Sequence, residues 1–104
     1  MQNKFLSFLG IAKKSRNLVE GYNGCEEEIK RNKVHLCILS LECSENTKKK
    51  FEKYCSDRKV PIIGNISKDE LGMAIGREEI NVLAVKDEKI CENLIKLWKE
   101  NYGM

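Results

Sequence analysis

Hydrophobic and polar positions follow two different patterns along this chain. In KFLSFLGIAKKS, apolar side chains recur at helical spacing, and Lys13 and Lys14 follow in the last turn, where cations complement the helix dipole. Residues 34–41, VHLCILSL, are instead almost continuously apolar, which is typical of a strand with both faces buried. The first stretch therefore predicts an N-terminal helix, and the second predicts a central strand.

The same patterns predict alternating helices and strands through the rest of the chain. Ser44, Ser67 and Asp87 precede helical patterns and are predicted N-caps, because their side-chain oxygens accept hydrogen bonds from free backbone N–H groups. Strands are predicted at 17–20, 34–41, 61–65 and 80–85, and helices at 4–15, 23–32, 44–58, 67–76 and from 87 onwards. This alternation predicts an α/β fold in a single domain, residues 1–104. We expect a three-layer α/β/α sandwich, with helices on both faces of a small mixed sheet of about four strands.

Charge is distributed unevenly along the sequence. The net charge is +3, which is far below that of a protein that wraps nucleic acid. Net charge alone therefore does not identify the binding partner. The residues before Glu20 include no acid and four cations, which are Lys4, Lys13, Lys14 and Arg16. We therefore expect a positive face near the N-terminal third of the protein.

Candidate catalytic and metal-binding residues are few. The five cysteines form no C-x-x-C pair and His35 is the only histidine, so we expect no metal site, no cofactor and no disulfide framework. The sequence has no G-x-S-x-G, H-E-x-x-H or phosphate-loop motif, so we expect a binding protein without enzymatic activity or a small-molecule substrate. No window approaches a membrane span, so we expect a cytoplasmic protein without a membrane partner.

The stretch GYNGCEEEIKR combines a glycine-marked helix entry with three glutamates. The free N–H groups of such an entry attract phosphate, and Gly21 and Gly24 are expected to give access to the backbone there. Asn23 offers an amide for hydrogen bonds, and Tyr22 offers a ring that can stack on a base. A left-handed turn without any ligand explains the same residues about as well.

The glutamates of this stretch have local partners. Asn23 is a predicted N-cap, and Glu26 stands three residues later as its reciprocal capping partner. Glu26 with Lys30, and Glu27 with Arg31, are spaced as i,i+4 ion pairs. The acidic residues are then compensated within the helix, so they do not by themselves exclude an anion from its start.

Four longer motifs, taken in order, resemble a known family. They are LGIAKKSRNLVEG, EEEIKRNKVHLCILSLECSENTKKKFEKYC, VPIIG and ELGMAIGREEINVLAV. Together they resemble the kink-turn RNA-binding ribosomal protein superfamily, the group of ribosomal proteins L7Ae and L30e, and SENTKKK and ELGMAIGREE are similar to its small bacterial YlxQ members. The resemblance covers roughly residues 4–97 and implies an α/β/α sandwich that binds RNA.

The resemblance also implies which residues contact RNA. In RNA-binding members of the superfamily, the entry from strand to helix carries Gly-x-Asn-Glu and a lysine one turn later, and these residues read the bases of a kink-turn. Gly21 and Asn23 match this motif, whereas Gly24 replaces the glutamate and Glu27 replaces the lysine. Arg31 matches a basic position further along the same helix.

These observations lead to one hypothesis and one alternative. The hypothesis is a non-enzymatic protein that binds structured, kink-turn-like RNA and is associated with the ribosome, with ribosomal or other non-coding RNA and ribosomal proteins as partners. By the resemblance, the loop over 77–82 caps a protruding nucleotide. The predicted RNA-binding residues are Lys13, Lys14, Arg16, Gly21, Tyr22, Asn23, Gly24, Arg31, Lys68, Arg77, Ile80 and Asn81. Because Gly24 and Glu27 depart from the family motif, the alternative is a protein-interaction module that kept the fold but lost kink-turn binding.

Overall fold

Five helices and four strands alternate along residues 3–103, which are the residues that the computed structural model describes. The helices are α1 (Lys4–Lys14), α2 (Tyr22–Lys30), α3 (Glu45–Arg58), α4 (Lys68–Ala74) and α5 (Glu88–Asn101). The strands are β1 (Leu18–Glu20), β2 (Leu36–Ser40), β3 (Ile62–Ile66) and β4 (Val82–Val85). All nine elements predicted from the sequence are present, and each predicted boundary lies within two residues of the observed one.

The four strands form a mixed sheet in the order β1-β4-β2-β3. Strands β2 and β3 are parallel, whereas β4 is antiparallel to both β1 and β2. Side chains of β2 alternate between two cores: Leu36 and Ile38 pack on the side of α1, α4 and α5, and Cys37 and Leu39 pack on the side of α2 and α3. Helices therefore cover both faces of the sheet, which confirms the predicted α/β/α sandwich.

One edge of the sheet collects the starts of three helices. Glu20 at the end of β1 pairs with Leu83 in β4, and Ser40 at the end of β2 pairs with Ile66 at the end of β3. Because α2, α3 and α4 follow β1, β2 and β3 in the chain, their N-terminal ends lie at this edge. We call it the helix-entry edge, and it also holds Val82, where β4 begins.

Three predicted N-caps are confirmed. The side chains of Ser44, Ser67 and Asp87 each accept a hydrogen bond from the backbone N–H three residues later, over 3.2, 3.1 and 2.9 Å respectively. Each cap satisfies one of the backbone donors that a helix start leaves without an intrahelical partner. Among residues 3–103, no helix has the length and apolar character needed to cross a membrane.

The predicted N-cap at Asn23 is wrong. Helix α2 begins at Tyr22, and its N-cap is Gly21, which has φ of 91° and makes no side-chain capping bond. The Gly21 N–H donates to the carbonyl of Val82 over 2.9 Å, so Gly21 still belongs to the β1–β4 ladder when the chain turns into the helix. This abrupt turn requires a backbone conformation that favours glycine, and it places the start of α2 directly at the helix-entry edge.

Candidate nucleic-acid interface

An open groove of about 420 Å³ lies at the helix-entry edge. The starts of α2 and α3 form one side of it, and the loop between α4 and β4 forms the other. The residues that line this entry groove are Gly21, Tyr22, Glu42, Cys43, Ser44, Thr47, Arg77, Ile80, Asn81 and Val82. Two segments that are distant in the sequence, the α2 entry and the loop before β4, thus meet at one site, as the RNA-binding prediction requires.

The start of α2 presents backbone donors to the groove. The first intrahelical hydrogen bond of α2 joins the Cys25 N–H to the Gly21 carbonyl over 3.0 Å. The N–H groups of Tyr22, Asn23 and Gly24 precede this bond, and they carry the positive end of the helix dipole. Asn23 is exposed in this first turn, so its amide is available to a ligand.

Tyr22 is divided between the core and the groove. Its ring meets Phe51 of α3 edge-to-face, with ring centroids 5.1 Å apart and an interplanar angle of 89°. Phe51 is fully buried, whereas Tyr22 is only half-buried and lines the groove. The ring is therefore held in one orientation by packing, and only part of it is left to contact a base.

Gly24 has a packing role that differs from the predicted one. A Cβ atom at this position would lie 3.2 Å from Cγ1 of Val19 in β1, which is closer than an ordinary van der Waals contact. The missing side chain therefore lets α2 approach β1. Gly24 was predicted to give access to the backbone, and the structure shows that it also lies in close contact with β1.

The loop between α4 and β4 is held by backbone hydrogen bonds. The Arg77 N–H donates to the Gly72 carbonyl over 2.8 Å, and Gly76 has φ of 80°, so α4 ends in a Schellman motif. The Ile80 N–H donates to the Lys68 carbonyl over 3.1 Å, and the Ile80 side chain is only 6% exposed. Ile80 mainly anchors the loop to the core, and its small exposed part lines the groove.

Asn81 is positioned by the neighbouring strand. The hydroxyl of Ser40, the last residue of β2, donates to Oδ1 of Asn81 over 2.6 Å, and the Ser40 N–H donates to the Asn81 carbonyl over 2.9 Å. Ser40 is buried, so this pair forms a fixed polar contact beneath the groove. With its oxygen engaged, the Asn81 side chain offers its NH₂ group as the remaining donor.

Two predicted RNA-binding cations converge beside the α2 entry. Lys13 at the end of α1 and Arg77 in the loop before β4 both form ion pairs with the carboxylate of Glu20, and the Arg77 Nη1 atom lies 3.1 Å from Glu20 Oε1. Lys68 lies nearby at the start of α4, and its Nζ pairs with Glu79 over 3.3 Å. The structure thus places three of the predicted cations at the helix-entry edge.

Arg31 and Arg16 lie further from the groove than these three cations. Arg31 follows the last turn of α2 and pairs with Glu27 and Glu28 over 3.4 and 3.8 Å. Glu28 also pairs with Lys86, which follows β4, so this group belongs to the sheet edge opposite the groove. Arg16 precedes β1. The backbone carbonyl of its neighbour Asn17 accepts a hydrogen bond from the Lys86 N–H over 2.8 Å, so Arg16 lies near the same edge. Lys14 is exposed in the last turn of α1.

The chain has clear relatives among known proteins. The sequence profile of the Ribosomal protein L7Ae/L30e/S12e/Gadd45 family matches residues 3–95. The chain belongs to this family. It is also 34% identical over 94 residues to "RNA-binding protein YlxQ" of Bacillus subtilis (strain 168), covering 90% of this chain and 94% of that protein. The resemblance seen in the motifs is therefore confirmed.

Solved structures show the same fold as this L7Ae family chain. The structure of a protein with unknown function from Bacillus halodurans C superposes with a TM-score of 0.89 at 33% identity, covering 92% of this chain and 97% of that one. The Giardia lamblia 15.5kD RNA binding protein superposes with a TM-score of 0.76 at 16% identity, covering 97% and 90% of the two chains. The fold is thus retained even where few residues are shared.

The contribution of α3 to the groove of this L7Ae family chain was not predicted from the sequence. Glu42, Cys43 and Thr47 line the groove because β2 ends between β4 and β3 at the helix-entry edge. The signal was the Ser44 cap directly after a buried strand, since helices that follow strands of one sheet often start at the same edge. Glu20 was not predicted either, because its contacts depend on the tertiary fold.

Proposed function

We propose that residues 1–104 form one RNA-binding domain that is cytoplasmic, has no enzymatic activity and binds structured, kink-turn-like RNA in association with the ribosome. The observation that carries the proposal is the entry groove, because it joins the α2 entry to the loop before β4 and places Lys13 and Arg77 beside them. The names of two similar proteins, the Bacillus subtilis and Giardia lamblia chains, support RNA as the ligand.

Each part of the groove has a role in this proposal. The N–H groups at the start of α2 bind a phosphate, and Lys13 and Arg77 bind neighbouring phosphates of the bent backbone. The amides of Asn23 and Asn81 donate to bases or sugars, because Asn81 lines the groove and Asn23 is exposed in the first turn of α2. Ribosomal proteins and a ribosomal or other non-coding RNA are the partners that the family suggests.

The site lacks two side chains that the family motif implies, and this difference sets the expected affinity. Gly24 offers no carboxylate to a base, and the Glu27 side chain, which is 62% exposed, puts a negative charge where the family motif has a lysine. Binding therefore depends mainly on phosphate contacts, which position a protein without reading sequence. With roughly three to five such contacts, a plot of log affinity against log salt has a slope of about −3 to −5.

Fluorescence anisotropy with a labelled kink-turn RNA tests this proposal. The titrations are run at several salt concentrations, and a straight duplex of the same length serves as the competing ligand. Arg77→Gln is expected to weaken binding about fivefold or more. Lys96 is an exposed residue of α5, and Lys96→Gln, which removes the same charge, is expected to change the affinity little. Absence of binding at low salt, or binding that does not depend on salt, contradicts the proposal.

The protein-interaction module is the second candidate function. Glu27 puts an acid where the family motif has a lysine. The observation that favours this candidate is its 3.4 Å ion pair with Arg31, because the pair also occupies the basic residue further along α2. Affinity purification before and after nuclease treatment separates the two. Protein partners that remain after nuclease treatment, together with no RNA binding in the titration, favour the interaction module.

A further inference from the structure

Glu20 holds two cations that come from different parts of the fold. It is the last residue of β1, immediately before Gly21 and the start of α2. Lys13 reaches it from α1, and Arg77 reaches it from the loop before β4. Both cations pair with the same carboxylate, one on each oxygen.

The backbone around Glu20 is less able to move than the side chains of Lys13 and Arg77, which pair with the Glu20 carboxylate. Glu20 pairs with Leu83 in the β ladder, and the next residue donates to Val82, so the strand fixes its Cα position. Its side chain is 20% exposed, compared with 42% for Lys13 and 49% for Arg77. The carboxylate is therefore a fixed anion, while the longer cationic side chains can leave it and turn towards a ligand.

A carboxylate and a phosphate are competing partners for these two cations. Both are anions that accept charge-assisted hydrogen bonds from lysine and arginine, and the bonds made to one are not available to the other. Glu20 also adds a negative charge beside the helix start where a phosphate is proposed to bind. Its effect on an incoming RNA backbone is therefore unfavourable in two ways.

We propose that Glu20 limits the affinity of the entry groove for RNA by holding Lys13 and Arg77 in the free protein. The inference rests on the proposed RNA-binding function and adds a residue that sets its strength. A phosphate must displace the Glu20 contacts or share the two cations with them. Replacing this one carboxylate then strengthens binding, although no contact to the RNA is added.

Glu28 provides a matched control within the same chain. Its side chain is 17% exposed, close to that of Glu20, and it also holds two cations, Arg31 at 3.8 Å and Lys86 at 3.5 Å. These contacts lie at the sheet edge opposite the groove. Glu28→Gln changes the net charge by the same amount as Glu20→Gln, so a comparison separates the local contact from overall charge.

Anisotropy titration of a kink-turn RNA with wild type, Glu20→Gln and Glu28→Gln tests the inference. We expect Glu20→Gln to bind on the order of fivefold more tightly, from the loss of two exposed ion pairs, with a salt slope steeper by about one. We expect Glu28→Gln to stay within about twofold of wild type, because salt screens charges across the domain. Equal or weaker binding by Glu20→Gln, or an equal gain in Glu28→Gln, overturns the inference.

A second measurement distinguishes failure of this inference from failure of the proposed function. Inorganic phosphate is titrated into the same three proteins while the Arg77 Nε–Hε resonance is followed by NMR. We expect phosphate to shift this resonance at several-fold lower concentration in Glu20→Gln than in the other two proteins. If no protein binds RNA but this difference is present, the RNA proposal fails and Glu20 still competes for the cations. If RNA binds but the phosphate response is equal in all three proteins, the role of Glu20 is wrong and RNA binding stands.

Discussion

The hydroxyl of Tyr54 in α3 donates a 2.6 Å hydrogen bond to the carboxylate of Glu26 in α2. Lys30 completes the group, with its Nζ 3.6 Å from Glu26 and 4.9 Å from the centre of the Tyr54 ring. Glu26 was predicted to cap its own helix, and that prediction is wrong. The carboxylate instead joins the two helices that cover one face of the sheet.

Replacing Tyr54 with phenylalanine is expected to make stability depend less on pH. The Tyr54 hydrogen bond, with Lys30, lowers the pKa of Glu26 below its usual value, and the same bond raises the pKa of Tyr54 to about 12. The Glu26 contribution is present at neutral pH and is lost as the pH falls through its lowered pKa. The Tyr54 contribution is present below about pH 10 and is lost as the pH rises through about 12.

Urea unfolding of wild type and Tyr54→Phe at acidic, neutral and alkaline pH measures this effect. The difference in unfolding free energy between the two proteins is expected to be largest at neutral pH and to shrink towards both extremes. Tyr22→Phe is the matched control, because Tyr22 packs on the same Phe51 ring. A difference that is the same at all three pH values shows that the hydrogen bond does not contribute as described.

Gly72→Ala is expected to destabilise the protein by about 2 kcal/mol and to weaken RNA binding. Alanine normally favours a helix over glycine, but a Cβ here would lie 2.6 Å from Cα and 2.7 Å from N of Glu79. The loop that carries Arg77 and Asn81 would have to move. Met73→Ala, at a neighbouring position that is 79% exposed, is expected to change stability by less than about 0.5 kcal/mol. Thermal unfolding compares the two variants, and equal melting temperatures refute the packing role of Gly72.

Glu27→Lys is expected to strengthen RNA binding about threefold to tenfold, because it replaces a repulsive charge with an attractive one at the α2 position where the family motif has a lysine. Glu52→Lys makes the same charge change at an exposed position of α3, and a much smaller effect is expected there. Both variants are compared with wild type by RNA titration at a fixed salt concentration. Equal gains in the two variants indicate a general charge effect and argue against α2 as the contact helix.

Cys43 is a natural probe of the entry groove. It is half-exposed and lines the groove, whereas Cys25, Cys37, Cys55 and Cys91 are buried. Burial raises the pKa of Cys25 to about 12, and a smaller effect of burial raises the pKa of Cys43. We therefore expect iodoacetamide at mildly alkaline pH to modify Cys43 first.

A kink-turn RNA at saturating concentration is expected to slow the alkylation of Cys43 severalfold. The straight duplex at the same concentration is the control ligand, and mass spectrometry of the digested protein identifies the modified cysteine. Cys43→Ser should abolish the fast labelling phase. An alkylation rate for Cys43 that RNA leaves unchanged, under conditions where RNA is bound, places the binding surface elsewhere.

Local sequence patterns were sufficient to predict the secondary structure. The caps at Ser44, Ser67 and Asp87 and the apolar run of β2 depend on neighbours within a few residues, so they can be recognised without a fold. The cap at Asn23 failed because a non-local bond, from Gly21 to Val82, moved the helix start. A distant strand outweighed the local capping motif.

For the site, the sequence by itself determined the residue types at the α2 entry and in the loop before β4, the family, and the order of helices and strands. Only the tertiary structure decided that Lys13 and Arg77 meet at Glu20 while Arg31 lies towards the opposite edge. It also decided that Gly24 packs closely against Val19 and that the Ser40 hydroxyl positions Asn81. The Arg77–Glu20 and Ser40–Asn81 contacts follow from the antiparallel pairing of β4 with β1 and β2, which joins segments far apart in the chain, and no periodicity within a single segment encodes that pairing.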